Sequence, residues 1–167
     1  MDHNTYIPRL AKIIEIKEEV GGVRPIKTFR TQFLSTNNFS FHCGQCAMLS
    51  VFGRGESMIS ISSSPLLKDY LQFSILKMGR VTSSLHEMQV GDIIGIRGPY
   101  GNSFPVEDWK GKNIIFIGGG IGLAPIWSVL NTALSIKKDY GDLMLIYGAR
   151  TTKDLVFKEE LEELRKR

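Results

Sequence analysis

The run Ile114-Ile115-Phe116-Ile117 passes directly into Gly118-Gly119-Gly120-Ile121-Gly122 and then into a helical stretch over 124–138. An apolar run of strand length with no polar alternation reads as a strand inside a parallel sheet. Glycines at its end lack Cβ, so main-chain N–H groups there can come close to a phosphate, and the positive end of the next helix points at the same place. Pro125 falls in the first helical turn, where a missing N–H is tolerated. The spacing is not G-x-G-x-x-G, so the dinucleotide fingerprint is absent. On the residues alone the bend is either an anion nest or a tight strand-to-helix turn that binds nothing. A second apolar strand (143–147), then Gly148-Ala149-Arg150 and an amphipathic helix from about Asp154, complete a strand–helix–strand–helix unit.

The residues before Pro99 follow another rule. Segments 10–18, 26–34, 45–52, 57–62, 70–78 and 92–98 carry strand patterning and are divided by Gly-rich and Ser-Pro turns, with one short helix over 82–88. Six short strands at this spacing predict an antiparallel barrel or sandwich. The expected fold is therefore β plus α/β: a six-stranded antiparallel barrel domain (1–100), then an incomplete βαβα parallel-sheet half (111–167). Two parallel strands leave both sheet edges open. A fragment, completion by another polypeptide, or unusual packing of the tail would each account for that.

Composition narrows the function. The chain has 167 residues, 43% hydrophobic and 23% charged, and 21 basic against 17 acidic residues give +4. A core of that share excludes a disordered or collagenous chain. The basic residues are scattered, and the densest charge (158–167) mixes signs at helical spacing, so no nucleic-acid stripe is expected. No apolar run reaches the roughly 18 residues of a membrane span, and Met1-Asp2-His3-Asn4 lacks the build of a signal peptide. With two cysteines, the expected setting is cytoplasmic and reducing.

Other motifs are individually modest. Gly79-Arg80-Val81-Thr82-Ser83 ends a strand and opens a helix, which is a second phosphate-sized nest or an ordinary N-cap. Gly98-Pro99-Tyr100-Gly101-Asn102 reads as a turn linking the halves. Cys43-Gly44-Gln45-Cys46 is a lone C-x-x-C without partner ligands, so a metal site is not expected, and two ordinary thiols are favoured over a dithiol centre. His3, His42 and His86 have no nucleophile or carboxylate at motif spacing, so no catalytic side chain is assigned. The chain supplies binding surfaces and leaves reaction chemistry to cofactors.

In order and spacing, Ile59-Ser60-Ile61-Ser62-Ser63-Ser64-Pro65, Gly79-Arg80-Val81-Thr82, Gly98-Pro99-Tyr100-Gly101-Asn102 and Gly118-Gly119-Gly120-Ile121-Gly122-Leu123-Ala124-Pro125 resemble the ferredoxin–NADP reductase-like superfamily. Among its members the flavin-bearing gamma subunits of sulfhydrogenases and their counterparts in anaerobic sulfite reductases are most similar. The resemblance implies an FAD-binding barrel, with Ile59, Ser60 and Ile61 along the flavin and Gly79, Arg80, Val81 and Thr82 around its pyrophosphate. It implies that Gly119, Gly120, Gly122, Leu123, Ala124 and Pro125 face NAD(P)H, flanked by Gly148 and Arg150. It further implies electron transfer to an iron–sulfur partner subunit, with no cluster in this chain. The alternative is a non-catalytic flavin-binding fragment or assembly module that cannot use NAD(P)H. The superfamily's Arg-x-Tyr-Ser motif is replaced here by Ser57-Met58-Ile59-Ser60.

Overall fold

The computed structural model describes residues 6–35 and 39–166; the first five residues, His3 among them, lie outside these ranges. The elements in chain order are β1 (Arg9–Val20), β2 (Ile26–Phe33), β3 (Cys46–Val51), β4 (Gly55–Ser60), β5 (Leu71–Leu76), α1 (Arg80–Glu87), β6 (Ile93–Tyr100), β7 (Ile114–Gly119), α2 (Leu123–Ser135), β8 (Leu143–Gly148) and α3 (Lys158–Arg165). The first six strands form one antiparallel sheet in the order β4-β3-β6-β1-β2-β5. Strands β7 and β8 pair in parallel, with Gly119 opposite Gly148. The antiparallel barrel followed by a two-strand parallel unit is the architecture the patterning predicts.

Alternation drives the barrel. Ala11 and Ile13 of β1 point inward and are fully buried, whereas Lys12 and Ile14 between and after them are exposed. They meet Phe29, Leu49, Phe73, Ile94 and Ile96 in one core. The two edge strands are stitched just past the end of β4, where Ile61 bridges to Phe73 and the Ser62 N–H donates to the Gln72 carbonyl at 2.8 Å. No ladder joins β4 itself to β5 among the described residues. That split is where the first groove described below lies.

A second core belongs to both halves. Phe116, Leu123, Trp127, Val129, Leu130, Val156 and Phe157 pack together with Val20, Ile26 and Cys43 from the barrel side. The rings of Trp127 and Phe157 stack at 4.6 Å and 14°. Across the same seam Lys17 of β1 reaches Glu159 and Glu160 of α3, each at 3.0 Å.

Three expectations need correction. The last helix starts at Lys158, not near Asp154, because residues 152–154 form a single 3-10 turn capped by Thr151 and the chain then turns Val156 and Phe157 into the core. Phe157 holds a left-handed φ of 58°, which breaks helical continuity. The Gly98-Pro99-Tyr100 segment is not a linker turn: β6 runs through it and pairs Tyr100 with Cys46. The Ile114–Ile117 strand is covered on one face only. Phe116 is buried beneath α2, while Ile115, Ile117, Met144 and Ile146 on the other face are 59%, 68%, 55% and 52% exposed.

Candidate functional site

Two grooves meet along the seam between the halves. The first, about 780 Å³, opens in the split between β4 and β5. Ser57, Met58, Ile59 and Ser60 form one wall, Ser74, Leu76 and Met78 the other, and Gly79, Arg80, Val81 and Thr82 one end. Ile121, Gly122, Ala124 and Pro125 border it from the side of α2. The second, about 860 Å³, lies at the carboxyl ends of the parallel strands, between Gly119, Gly120, Ala149 and Arg150 and the β1–β2 hairpin at Val20–Arg24. Leu76 and Ile121 line both, so the two spaces are neighbours.

The end of the first groove is set by Thr82. Its hydroxyl accepts the N–H groups of Met78 and Gly79, both at 2.9 Å, and donates to the Gly79 carbonyl at 3.1 Å. Thr82 therefore fixes the turn and has no hydroxyl proton left for a ligand. A helix start leaves its first N–H groups without intrahelical acceptors, so those of Arg80 and Val81 remain as donors lining the groove. The first turn of α1 carries no acidic residue that would repel an anion. His86, in the last turn of α1, bonds through Nε2 to the Ile75 carbonyl at 2.8 Å and anchors the helix on β5. Its burial pushes its pKa down, so the neutral ring is favoured.

The β4 wall is braced from behind. Arg97 grips Glu56 through Nε to Oε1 at 3.0 Å and through Nη2 to Oε2 at 2.5 Å, and Ser50 donates to Glu56 at 2.6 Å. These bonds, the Arg97 contact first, hold the Glu56 carboxyl below its ordinary pKa.

The glycines separate into two kinds. A Cβ on Gly118 would lie 3.3 Å from Ile126 Cδ1 and 3.4 Å from Leu123 Cδ1, so this glycine serves helix-on-strand packing. A Cβ on Gly79, Gly119, Gly120, Gly122 or Gly148 would meet nothing within 4 Å. The space in front of those five is open, as an approaching ligand requires. Gly120 also holds φ +51°, and its carbonyl accepts the Tyr147 hydroxyl at 3.0 Å.

Most of the candidate residues therefore come together: Ile59, Ser60, Gly79, Arg80, Val81, Thr82, Gly122, Ala124 and Pro125 at the first groove, and Gly119, Gly120 and Arg150 at the second. Gly148 is exposed beside Ala149. Two are placed elsewhere. Ile61 is fully buried in the barrel core and its N–H is engaged by the Gln45 carbonyl at 3.0 Å. Leu123 is fully buried against Gly118. Residues missed from sequence are Leu76 and Ile121, the Val20–Arg24 hairpin, and Tyr147, whose partners are far along the chain.

The two cysteines act separately. Burial raises both thiol pKa values; Cys43 donates to Thr132 Oγ1 at 3.3 Å and Cys46 to the Tyr100 carbonyl at 3.3 Å. Among the described residues no group of three or more His, Cys, Asp or Glu side chains is placed to hold a metal, and no helix is long and apolar enough to cross a membrane.

Comparison with known proteins fits this geometry. The family "Oxidoreductase NAD-binding domain" matches residues 116–167. Sulfhydrogenase 2 subunit gamma of Pyrococcus furiosus is 42% identical over 98% of this chain and 56% of its own length. The chain has the fold of the ferredoxin–NADP reductases, and its last 52 residues match the oxidoreductase NAD-binding family. A second relative, the probable dihydroorotate dehydrogenase B (NAD(+)) electron transfer subunit of Methanocaldococcus jannaschii, is 35% identical over 91% of this chain and 53% of its own length. The ferredoxin-NADP+ reductase of Plasmodium falciparum shares the fold at TM-score 0.82, with 20% identity, over 99% of this chain and 69% of that one. The chain spans about half the length of the curated relatives it matches.

Proposed function

We propose that this chain is the flavin- and nicotinamide-binding part of an electron-transfer subunit. Residues 1–100 hold FAD and residues 111–167 hold the nicotinamide nucleotide. The observation that carries the reading is the junction of the two grooves at Leu76 and Ile121, with open glycine backbone on each side.

The first groove fits a flavin. Ile59 and Met58 offer an apolar wall for a planar ring, Ser57 and Ser60 supply polar groups along it, and the Arg80 and Val81 N–H groups with the Arg80 guanidinium receive a pyrophosphate. Gly119 and Gly120 present bare backbone to the nucleotide, and Gly122, Ala124 and Pro125 close the approach between the two ligands. A flavin held by these residues would supply hydride acceptance from NAD(P)H and one-electron release toward an iron–sulfur partner subunit. The protein contributes position: it holds two planar ligands against each other and commits no acid or base to the transfer. Two free cysteines agree with a cytoplasmic setting.

A second reading is favoured by the exposed apolar face of Ile115, Ile117, Met144 and Ile146. In it the chain binds FAD but needs further polypeptide before it uses NAD(P)H. One experiment tests both. The purified chain is dialysed against FAD and titrated anaerobically with NADH and NADPH. Flavin uptake followed by bleaching supports the first reading, and uptake without bleaching supports the second. A chain that takes up no FAD refutes both.

A further inference from the structure

A buried hydroxyl pair stands behind the first groove. Thr28 of β2 and Ser74 of β5 lie directly opposite each other in the ladder, only 5% and 4% exposed, with their hydroxyl oxygens 2.8 Å apart. The next pair on the same face, Ile26 and Leu76, is apolar. Leu76 lies where the two grooves meet, and Ser74 itself lines the first. Either hydroxyl of the pair can be the donor, so its hydrogen bond can point toward the groove or away from it.

A carboxyl stands on the far side of Thr28. The register of β1 against β2 shifts between Glu18 and Val20, and such an irregularity re-aims the residue within it, here Glu19. Its Oε2 accepts the Phe157 N–H at 3.0 Å, whereas its buried Oε1 has no hydrogen-bond partner among the described residues. Burial raises the Glu19 pKa; the Phe157 N–H, the Thr28 hydroxyl and Lys17 pull against that rise, and Glu160 adds to it. The Tyr147 phenol faces the same charge from β8. Ser74, Thr28 and Glu19 thus run in series from the groove to the seam and end on an oxygen with room for a proton.

We propose that Ser74, Thr28 and Glu19 form a proton path leading from the ring bound in the first groove out to the seam. The proposal rests on the flavin reading above. A hydride is one proton and two electrons. When the electrons leave singly toward a partner, the proton stays behind on a ring nitrogen and must depart once per cycle. The hydride transfer itself needs no acid or base, but this departure needs an acceptor wherever the ligands exclude water. The ring N–H gives its proton to Ser74 Oγ, Ser74 passes its own to Thr28 Oγ1, and Thr28 passes its own to Glu19 Oε1. One N–H bond breaks, one O–H bond forms on the carboxyl, and no electron moves. Glu19 is only half-buried and returns the proton to water.

Stopped flow tests the path without nicotinamide. The FAD-loaded chain is reduced with stoichiometric dithionite and mixed with ferricyanide, which takes single electrons and no proton, in weakly buffered solution. Flavin absorbance reports electron loss and an indicator dye reports proton release. Thr28→Val keeps the branched shape without the hydroxyl, and Glu19→Gln removes the terminal acceptor. Each should slow proton release by roughly tenfold or more, and Thr28→Ser should restore it. A pair that serves packing alone would move the urea midpoint and leave proton release untouched. Release at the native rate in either variant overturns the path while leaving FAD binding intact, and Glu19→Gln decides alone should Thr28→Val fail to fold. A native chain that takes up no FAD refutes the underlying reading as well.

Discussion

The Tyr147 hydroxyl donates to the Gly120 carbonyl at 3.0 Å and accepts the Val156 N–H at 3.0 Å. One phenol thus ties the glycine bend after β7 to the segment that seals the second core. Its pKa is raised by burial, so it stays a donor across the physiological range.

Tyr147→Phe keeps the ring and removes both bonds, leaving a half-buried N–H at Val156 unpaired. The expected loss of stability is about 1–3 kcal/mol in urea unfolding. Nucleotide affinity should fall several-fold while FAD uptake is retained, because the first groove does not contain Tyr147. Equal losses of both ligands would mean that the bend is not set by this bond.

Gly119→Ala separates ligand binding from folding. Gly119 has φ −132° and ψ 127°, which any residue adopts, and its added Cβ meets no protein atom within 4 Å. Thermal stability should be unchanged or rise by up to about 1 kcal/mol. Nucleotide affinity should fall by roughly tenfold, the equivalent of one lost close contact. Gly118→Ala should show the reverse, a loss of about 1 kcal/mol from crowding Ile126 and Leu123.

His86 gives the fold an acid sensitivity. Its folded pKa lies below the ordinary 6.5, chiefly through burial. A histidine with a depressed native pKa contributes stability that is present above its unfolded pKa and lost as pH falls through the folded value. The urea midpoint of the native chain should therefore drop from about pH 6.5 downward relative to His86→Gln. Parallel curves for the two proteins would show that the ring does not titrate between the folded and unfolded states.

Glu19 has the opposite sign. Its Oε2 accepts the Phe157 N–H at 3.0 Å, but its Oε1 is buried with no hydrogen-bond partner among the described residues, and burial raises its pKa above 4.5. A raised native pKa means stability that is complete below the unfolded pKa and lost as pH rises through the folded one. Measured against Glu19→Gln, the native chain should lose stability as pH climbs above about 4.5. A difference independent of pH would contradict a carboxylate strained by desolvation.

What the sequence made legible was whatever depends on near neighbours. The alternation of Ala11, Lys12, Ile13 and Ile14 declared a strand with one buried side, and Gly118–Gly122 declared a strand-to-helix bend. Features made by distant partners were silent. Leu76 and Ile121 become one wall only when the barrel docks on α2, and Arg24 reaches the second groove from a hairpin about 95 residues before Gly119. Ile61 shows the limit of carrying a motif over residue by residue. Its neighbours Ile59 and Ser60 line the groove, but the bridge to Phe73 turns Ile61 into the core. The helix expected from Asp154 failed for a similar reason, since Phe157 has a better place against Trp127 than on a helix surface.

The proposed function stands on contact between the two ligands at Leu76 and Ile121. Oxidised NADP+ transfers nothing to an oxidised flavin, so adding it to the FAD-loaded chain and recording the difference absorbance spectrum reports contact alone. A saturable perturbation of the flavin band is expected, reached at one nucleotide per chain and weakened in Gly119→Ala. A chain that holds both ligands by calorimetry while its flavin band stays unmoved would refute that contact.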